Sequence, residues 1–323
     1  MEFEGVDYVP QHEPVLRERV FALLAPALTE AEPILVDATL GLGGHALFAL
    51  EQVPGLRVIG IDRDAQALAV SRERLAMFAD RVTLVHAVYD HIAEVLHDLG
   101  HPHVNGILFD LGVSSMQLDD PRRGFSYARD VTLDMRMDPT GAVTAADIVN
   151  SYSEKDLARI LRTYGEERFA SRIARRIVQE RAQAPFTSSA RLVEVVRESI
   201  PAPARRHGGN PAKRTFQALR IEVNDELAVL ERALPQALEA LEVGGRIVVM
   251  SYQSLEDTIV KGVLAEATRV RVPHDLPVIP AGAEPEFHLV TRGAQTATEA
   301  ETIENPRAAS VRIRAAERVR WAA

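Results

Sequence analysis

A glycine-rich loop followed by an acidic residue is the strongest chemical signal in the chain. The segment DATLGLGGHA (residues 37–46) has the spacing Gly41-x-Gly43-x-x-Ala46, and Asp62 ends the next apolar run. Glycines there let the backbone turn tightly and approach a ligand, and the carboxylate can accept hydrogen bonds from two ribose hydroxyls. The pattern predicts a site for a nucleoside-containing cofactor and does not separate NAD from S-adenosylmethionine.

A second signal is a cluster of positive charge. Between Pro201 and Arg220 the chain carries basic residues and no acid. The cluster consists of Arg205, Arg206, Lys213, Arg214 and Arg220. Because the whole chain has a net charge of −9, this local patch is a candidate for binding phosphate groups, and a solvated loop is the alternative.

Four further arginines recur at the spacing of one helix face. They are Arg168, Arg172, Arg175 and Arg176. They are consistent with an RNA-binding face or with a solvated face paired to Glu166, Glu167 and Glu180, and the sequence favours the solvated face.

The composition is that of a globular chain with two domains or one large one. It has 323 residues, of which 46% are hydrophobic and 26% charged, and no apolar run long enough for a transmembrane helix. The chain contains no cysteine, which excludes disulfides, thiolate metal sites and cysteine nucleophiles. No metal-ligating constellation stands out among the histidines. We therefore expect a cytoplasmic protein with no metal and no membrane contact.

Short apolar runs alternate with helical patterns in the first third of the chain, as in a doubly wound parallel sheet. The predicted strands are Ile34–Ala38, Arg57–Asp62, Val82–Ala87, Gly106–Leu111 and, later, Arg246–Tyr252. Two more, Phe287–Arg292 and Ser310–Glu317, would close the sheet as an antiparallel hairpin. That ending is typical of the seven-stranded methyltransferase sheet, whereas a dinucleotide domain continues with parallel strands.

Between the fourth and fifth strands the alternation stops and helical patterns take over. The predicted helices there are Glu154–Thr163, Glu166–Gln183, Ala190–Ile200 and a long one, Gln217–Leu241, with Ser153 and Ser189 as N-caps. The sequence therefore predicts a discontinuous α/β domain from residues 11–112 and 217–319. Residues 113–216 are predicted to form an inserted, mainly helical domain that recognises the substrate.

The segment FDLGVSSMQLDDPRRGFSYARDVTLDMRMDP (residues 109–139) resembles the signature of the bacterial MraW/RsmH family. The blocks HEPVL (12–16), TYGEERFASRIARRIV (163–178) and RTFQALRIEVNDEL (214–227) resemble it in the same order. Members of this family use S-adenosylmethionine to methylate the exocyclic N4 of a cytidine in small-subunit (16S) ribosomal RNA. The resemblance implies a Rossmann-like class I methyltransferase fold. It also implies a partner, ribosomal RNA within a small subunit or its precursor.

The resemblance also implies the cofactor-binding residues. They are Gly43, Gly44, His45, Asp62, Tyr89, Asp110 and Gln117. One departure concerns the segment SYQSLED (residues 251–257), because many relatives have histidine where this chain has Gln253. An essential imidazole at that position is thereby disfavoured.

Amine methylation needs groups that accept hydrogen bonds from the cytosine amine and direct its lone pair toward the methyl group. Asp110 is the first candidate, for orienting the amine or the cofactor, with Ser114 and Ser115 second. The serines are equally explained by a loop that hydrogen-bonds itself. Tyr252 is a candidate for stacking on the flipped base or for core packing. The absence of cysteine agrees with amine methylation and contradicts methylation of cytosine carbon 5.

Two other functions stay open at this point. One is an NAD-dependent oxidoreductase and the other a non-catalytic RNA-binding assembly protein that keeps the fold. The intact glycine loop and Asp62 argue against the second. The sequence leaves open the target nucleotide, the assembly stage of the substrate and the oligomeric state, for which a homodimer is one alternative.

Overall fold

The computed structural model describes residues 13–205, 210–270 and 284–321, and for Arg205 the backbone only. Its strands are β1 (Ile34–Asp37), β2 (Arg57–Asp62), β3 (Val82–His86), β4 (Val104–Asp110), β5 (Leu241–Ser251), β6 (Phe287–Leu289), β7 (Gln295–Thr296) and β8 (Arg312–Arg318). They form one sheet in the order β3-β2-β1-β4-β5-β8-β6, with β7 also beside β8.

The first five strands run parallel, and β8 runs antiparallel to β5. Strand order reverses at β1, which pairs with β2 on one edge and with β4 on the other. In open α/β sheets, ligands bind beyond the carboxyl ends of the strands at such a reversal. The fold therefore directs attention to the residues that end β1, β2 and β4.

The predicted closing of the sheet by antiparallel strands is confirmed, but the outermost strand is divided. β6 pairs with residues 316–318 of β8 and β7 with residues 312–313, so the two lie end to end along one strand. The described sheet therefore has eight strands in the seven predicted positions. β7 could not be predicted, because its two residues are too few to show the alternation that indicates a strand.

The helices in chain order are α1 (Arg17–Leu24), α2 (Gly44–Gln52), α3 (Ala65–Arg74), α4 (Ile92–Asp98), α5 (Ser115–Asp119), α6 (Ala145–Ser151), α7 (Glu154–Thr163), α8 (Ala170–Arg181), α9 (Ser189–Ser199), α10 (Ala202–Arg205), α11 (Lys213–Asn224), α12 (Glu226–Glu239), α13 (Ser254–Ala267) and α14 (Glu299–Glu304). Ser153 caps α7 as predicted, since its side chain accepts from the Asp156 N–H. Ser189 is not a cap. Its hydroxyl accepts from the Val131 N–H instead, and Ser188 occupies the N-cap position.

The predicted long helix over 217–241 is wrong, because two helices replace it. α11 ends at Asn224, and Asp225 has the left-handed φ of 51° before α12 begins. The β5 strand also starts at Leu241, five residues before its predicted start. The register of β5 against β4 shifts between Leu241 and Arg246, the stretch that contains Gly244 and Gly245.

Both faces of the sheet are covered, which explains why its strands read as continuous apolar runs. Along β4, Ile107 and Phe109 pack toward α4, α12 and α13, while Leu108 packs toward α1 and α2. A third apolar cluster draws its buried residues from 125–219 alone and joins α6, α7, α8, α9 and α11. The helical segment between β4 and β5 therefore has a core of its own. Nowhere in the described ranges does a helix combine the length and apolarity that crossing a membrane requires.

Candidate active site

Three carboxylates end three neighbouring strands of the sheet: Asp37 on β1, Asp62 on β2 and Asp110 on β4. The pKa of Asp37 is raised to about 7, chiefly by burial and in part by the nearby Asp110 and Asp62 charges, against the opposing effect of His45. Asp37 was not predicted as a site residue. It could have been found by the rule that selected Asp62, since it too is an acid that ends an apolar strand beside the glycine loop.

The glycine loop has the left-handed turns that its sequence predicts. Gly41 has a φ of 52° and Gly43, the N-cap of α2, a φ of 72°. These backbone conformations strain any residue with a Cβ. Gly44 has a different reason: a Cβ there would meet the Pro14 ring at 2.5 Å. Pro14 belongs to the HEPVL block, so this block packs on the start of α2, and cofactor contact by Gly44 stays a prediction.

Both carboxylate oxygens of Asp62 accept hydrogen bonds from the surrounding backbone. One carboxylate oxygen accepts from the Gly41 N–H at 2.7 Å, and the other accepts from the Asp64 N–H at 2.8 Å. Burial raises the pKa of Asp62 to about 6, and these two hydrogen bonds oppose the rise. Each oxygen keeps a lone pair for a ribose hydroxyl. Asp62 therefore holds the shape of the glycine loop as well as being a ribose candidate.

Asp110 lies at the centre of a cluster that joins three elements. Its Oδ1 accepts from the Tyr252 hydroxyl at 2.7 Å, and its backbone N–H donates to Thr39 Oγ1 at 2.6 Å. His45 Nε2 lies 3.6 Å from Asp110 Oδ2 and is buried without a hydrogen-bond partner. Buried polar atoms without partners are rare in proteins. This nitrogen therefore marks a place where a ligand atom would complete the site.

Tyr252 contacts Asp110, and its stacking on the flipped base stays a prediction. Its hydroxyl donates to Asp110, and burial, followed by the Asp110 charge, raises its pKa well above the usual value. Its backbone N–H donates to Glu256 Oε2 at 2.8 Å. The Gln253 side chain donates to the other Glu256 oxygen at 2.9 Å. Gln253 thus supports the turn between β5 and α13, at the position where many relatives have histidine.

Ser114 and Gln117 form a capping box at the start of α5. The Gln117 N–H donates to Ser114 Oγ at 3.2 Å, and the Ser114 N–H donates to Gln117 Oε1 at 3.0 Å. The Gln117 amide also donates to Asp64 Oδ2 at 3.0 Å. Ser114 therefore has a structural role in this loop. Its catalytic role and the cofactor contact of Gln117 stay predictions.

Two arginines that the sequence analysis missed hold the loop after β4. Arg123 is buried and forms a 2.7 Å ion pair with the fully buried Asp64. Arg307 donates to the Ser115 hydroxyl and lies near Tyr252. Both partners are distant in sequence, so no local spacing indicates either contact. The Arg307 contact gives Ser115 a partner within the fold, and its catalytic role stays a prediction.

The Tyr89 ring borders the core. It packs edge to face on Phe109 at 5.5 Å between ring centres, and burial raises its pKa above the usual value. Its predicted contact with adenine stays a prediction. Among the described residues, no cluster of three His, Asp or Glu side chains could hold a metal ion.

The basic cluster approaches the site at Arg214. Arg214 donates to the Glu166 carbonyl at 3.1 Å, and Glu166 Oε2 accepts from the Ser254 hydroxyl at 2.6 Å, two residues after Tyr252. Lys213 is exposed at the start of α11. The Arg205 side chain and all of Arg206 lie outside the described residues. Arg220 is half-buried and forms an ion pair with Glu226 through two hydrogen bonds, so it is not available to a phosphate group.

Comparison with known proteins gives a consistent result. The chain is 63% identical over 308 residues to the ribosomal RNA small subunit methyltransferase H of Frankia alni, covering 95% of both chains. It is 62% identical to the enzyme of the same name from Nocardioides sp., covering 96% of this chain and 97% of that one. A solved rRNA methylase from Streptococcus thermophilus superposes with a TM-score of 0.42 at 13% identity, covering 98% and 100%, a likeness too distant to carry an argument. The model of the MraW methylase family matches residues 10–319. The chain belongs to this family.

Proposed function

We propose that this protein transfers a methyl group from S-adenosylmethionine to the exocyclic N4 of a cytidine in small-subunit (16S) ribosomal RNA. Its relatives named ribosomal RNA small subunit methyltransferase H support the substrate class. The observation that carries the chemistry is the cluster of Asp110, Tyr252 and His45 beside the glycine loop, at the strand reversal. Neither oxidoreductases nor non-catalytic proteins are among those relatives.

The residues around the loop fit the cofactor. The left-handed turns at Gly41 and Gly43 leave the backbone open to close approach, and Asp62 has lone pairs for the ribose hydroxyls. When bound, S-adenosylmethionine supplies an electrophilic methyl group on a positively charged sulfur. The Asp110 carboxylate at the end of β4 provides negative charge that favours a cation there. The partnerless His45 Nε2 is placed to contact the cofactor.

Asp110 is the residue that we assign to the reacting amine. One of its oxygens is fixed by the Tyr252 hydroxyl, which leaves the carboxylate oriented and its other oxygen available to accept from the cytosine amine. Accepting that hydrogen bond directs the nitrogen lone pair away from the ring. In-line transfer of this kind forms no covalent bond between enzyme and base, consistent with a chain that has no cysteine.

We further propose that the helical segment between β4 and β5 binds the RNA. Its separate core supports a distinct unit, and Arg214 lies beside the turn that carries Tyr252. The structure favours a later end for this unit than residue 216, because Phe216 and Leu219 of α11 belong to its core. The left-handed Asp225 is the better boundary. The substrate is then ribosomal RNA within a cytoplasmic small subunit or its precursor.

The direct test is mass spectrometry of 16S ribosomal RNA from cells with and without the protein. We expect one N4-methylated cytidine to lose that methyl group when the gene is deleted and to regain it when the parent gene returns. A variant with Asp110→Asn serves as the inactive control. An unchanged pattern of cytidine methylation in the deletion strain contradicts the proposal.

A second test concerns the basic cluster. Replacing Arg205, Arg206, Lys213 and Arg214 by glutamate should weaken binding of 16S RNA strongly and leave S-adenosylmethionine affinity nearly unchanged. Each lost phosphate contact reduces the slope of log K against log salt concentration by about 0.7 to 0.9. A variant that keeps Arg214, which contacts Glu166, separates charge from packing. Parental RNA affinity at equal salt would show that the cluster is a solvated linker.

A further inference from the structure

The arginines on and before α8 divide into two groups. Arg175 pairs with Glu154 at 3.5 Å, and Arg176 pairs with Glu180 at 2.9 Å. Arg168 and Arg172 are exposed, and neither side chain has a hydrogen-bond or ion-pair partner among the described residues. The predicted pairing of this face to Glu166 and Glu167 is wrong. The Glu166 carboxylate accepts from Ser254, and the Glu167 carboxylate from the Phe169 N–H.

Arg172 also borders a cleft of about 400 Å³ between α8 and the end of α9. Its lining consists of Arg172, Arg175, Arg176, Gln179, Glu198 and Ser199. Glu198 lies 3.6 Å from Arg176, so one acid faces three guanidinium groups. Because Arg175 and Arg176 are also paired with Glu154 and Glu180, the positive charge that this cleft offers a ligand comes from Arg172, which has no ion-pair partner among the described residues.

The contacts of the fold connect this cleft to the active site. At one end, Arg168 lies two residues after Glu166, which contacts both Arg214 and Ser254. At the other end, Ser199 ends α9 and leads directly into α10, the start of the basic cluster. Unpaired arginines thus lie along one route from the β5–α13 turn to the cleft.

We propose that Arg168, Arg172 and the α8–α9 cleft bind backbone phosphates of the substrate RNA away from the target cytidine. The inference rests on the proposed function and adds a second contact surface to it. Guanidinium groups bind phosphate oxygens through paired, charge-assisted hydrogen bonds. Arginines without carboxylate partners are free to do so without first breaking an ion pair. A flipped cytidine is one nucleotide, so contacts that position the rest of the RNA must come from such a surface.

The test compares two double charge reversals of equal size. Arg168→Glu with Arg172→Glu alters the proposed surface. Arg57→Glu with Arg269→Glu is the matched control, since both residues are exposed, each pairs with a surface acid, and neither lies at the carboxyl end of a strand. The probe is unmodified, protein-free 16S RNA, titrated at several salt concentrations. We expect the first variant to bind about tenfold more weakly or worse, with the salt slope reduced by about 1.4 to 1.8.

The readouts separate the possible failures. Parental protein that neither binds nor methylates 16S RNA, whether protein-free or within small subunits, contradicts the proposed function, and parental protein that acts on small subunits but does not bind protein-free RNA overturns the second surface. Parental activity together with equal RNA affinity and salt slope for both double variants overturns the second surface. Loss of binding to intact small subunits with normal binding to protein-free RNA assigns the surface to a ribosomal protein and also overturns the proposal. Arg168→Gln with Arg172→Gln removes the charge without introducing acids, and circular dichroism verifies that each variant is folded. S-adenosylmethionine affinity should stay at the parental value in all of them.

Discussion

Asp62 has a structural role in addition to the cofactor contact that the sequence predicts for it. Spacing alone assigns it to the cofactor ribose, whereas the structure shows both of its oxygens accepting backbone N–H groups of the surrounding turns. Its removal therefore affects the glycine loop as well as the ligand. The Asp62→Ala variant cannot be interpreted from affinity alone.

For Asp62→Ala we expect S-adenosylmethionine affinity to fall about ten- to a hundredfold, because charge-assisted hydrogen bonds are lost. We also expect the free energy of unfolding to fall by about 1 to 3 kcal/mol, because two N–H groups lose their acceptor. Calorimetry and chemical denaturation measure the two effects. Asp98→Ala, an exposed acid on α4, is the control. Parental affinity in a folded Asp62→Ala protein would remove Asp62 from the cofactor site.

Asp37 should make the stability of the protein fall as pH rises. Its pKa is raised from 3.8 to about 7 in the folded state, so between these values the folded chain retains a proton that the unfolded chain has lost. The unfolding free energy then decreases through this window, by up to about 4 kcal/mol in total. Denaturation of the parent and Asp37→Asn proteins at pH 4 to 8 measures it. The unfolding free energy of Asp37→Asn should increase relative to that of the parent as pH rises. A difference between the two that does not change with pH contradicts the raised pKa of Asp37.

The sequence indicated candidate site residues whose signal is local, and it missed contacts between residues that are distant in sequence. Asp62 and Asp110 each end an apolar strand, which is visible in the sequence. The Arg123–Asp64 and Arg307–Ser115 contacts join residues that only the folded chain brings together. Gln253 could be recognised as a departure from its relatives, but its bond to Glu256 depends on the conformation of the turn.

At the scale of elements, the capping box of α5 allows the structural and catalytic roles of Ser114 to be tested separately. Ser114→Ala should lower the unfolding free energy by about 1 kcal/mol through loss of the cap. Ser114→Asn keeps a capping side chain and removes the hydroxyl. If Ser114 acts only as a cap, the asparagine variant should retain parental stability and a parental rate of methylation. A collapse of the methylation rate in both variants would instead establish a catalytic hydroxyl.

The end of α11 is fixed by one buried amide. The Asn224 side chain accepts from the Met137 N–H at 2.7 Å and donates to the Met135 carbonyl at 2.8 Å. Met135 has a left-handed φ of 63° that this contact helps to hold. Asn224→Leu leaves both groups buried and unpaired, so we expect about 3 kcal/mol or more of destabilisation in urea denaturation. A loss below about 1 kcal/mol would show that the loop is held by other contacts.

The helices and strands were predicted from the sequence more accurately than the breaks between them. Strands β1 to β4 lie within two residues of prediction because buried apolar runs have clear ends. The break at Asp225 was missed because neither glycine nor proline marks it. It results from Asp225 adopting a left-handed conformation where α11 leaves one core and α12 enters another. Such breaks depend on tertiary packing, which periodicity does not report.

For the whole molecule, the choice of cofactor predicts a thermal shift. A ligand that binds only the folded state at about 100 times its dissociation constant stabilises it by about 2.7 kcal/mol. S-adenosylmethionine should therefore raise the melting temperature and NAD should not. Differential scanning fluorimetry with both ligands measures this, with Asp62→Ala as the control of reduced response. A rise in melting temperature with NAD but not with S-adenosylmethionine would favour the oxidoreductase alternative.

The placement of the helical segment between β4 and β5 also has a consequence for how the chain folds while it is being synthesised. β4 is a central strand, buried at every residue except Asp110, and its partner β5 begins only after the whole helical segment. At typical rates of translation, the intervening stretch of about 130 residues takes about 7 to 26 s to synthesise. During that interval one edge of β4 lacks its strand, while the helical segment can complete its own core. The nascent chain is therefore most exposed to aggregation and to chaperones after β4 has left the ribosome and before β5 has followed it.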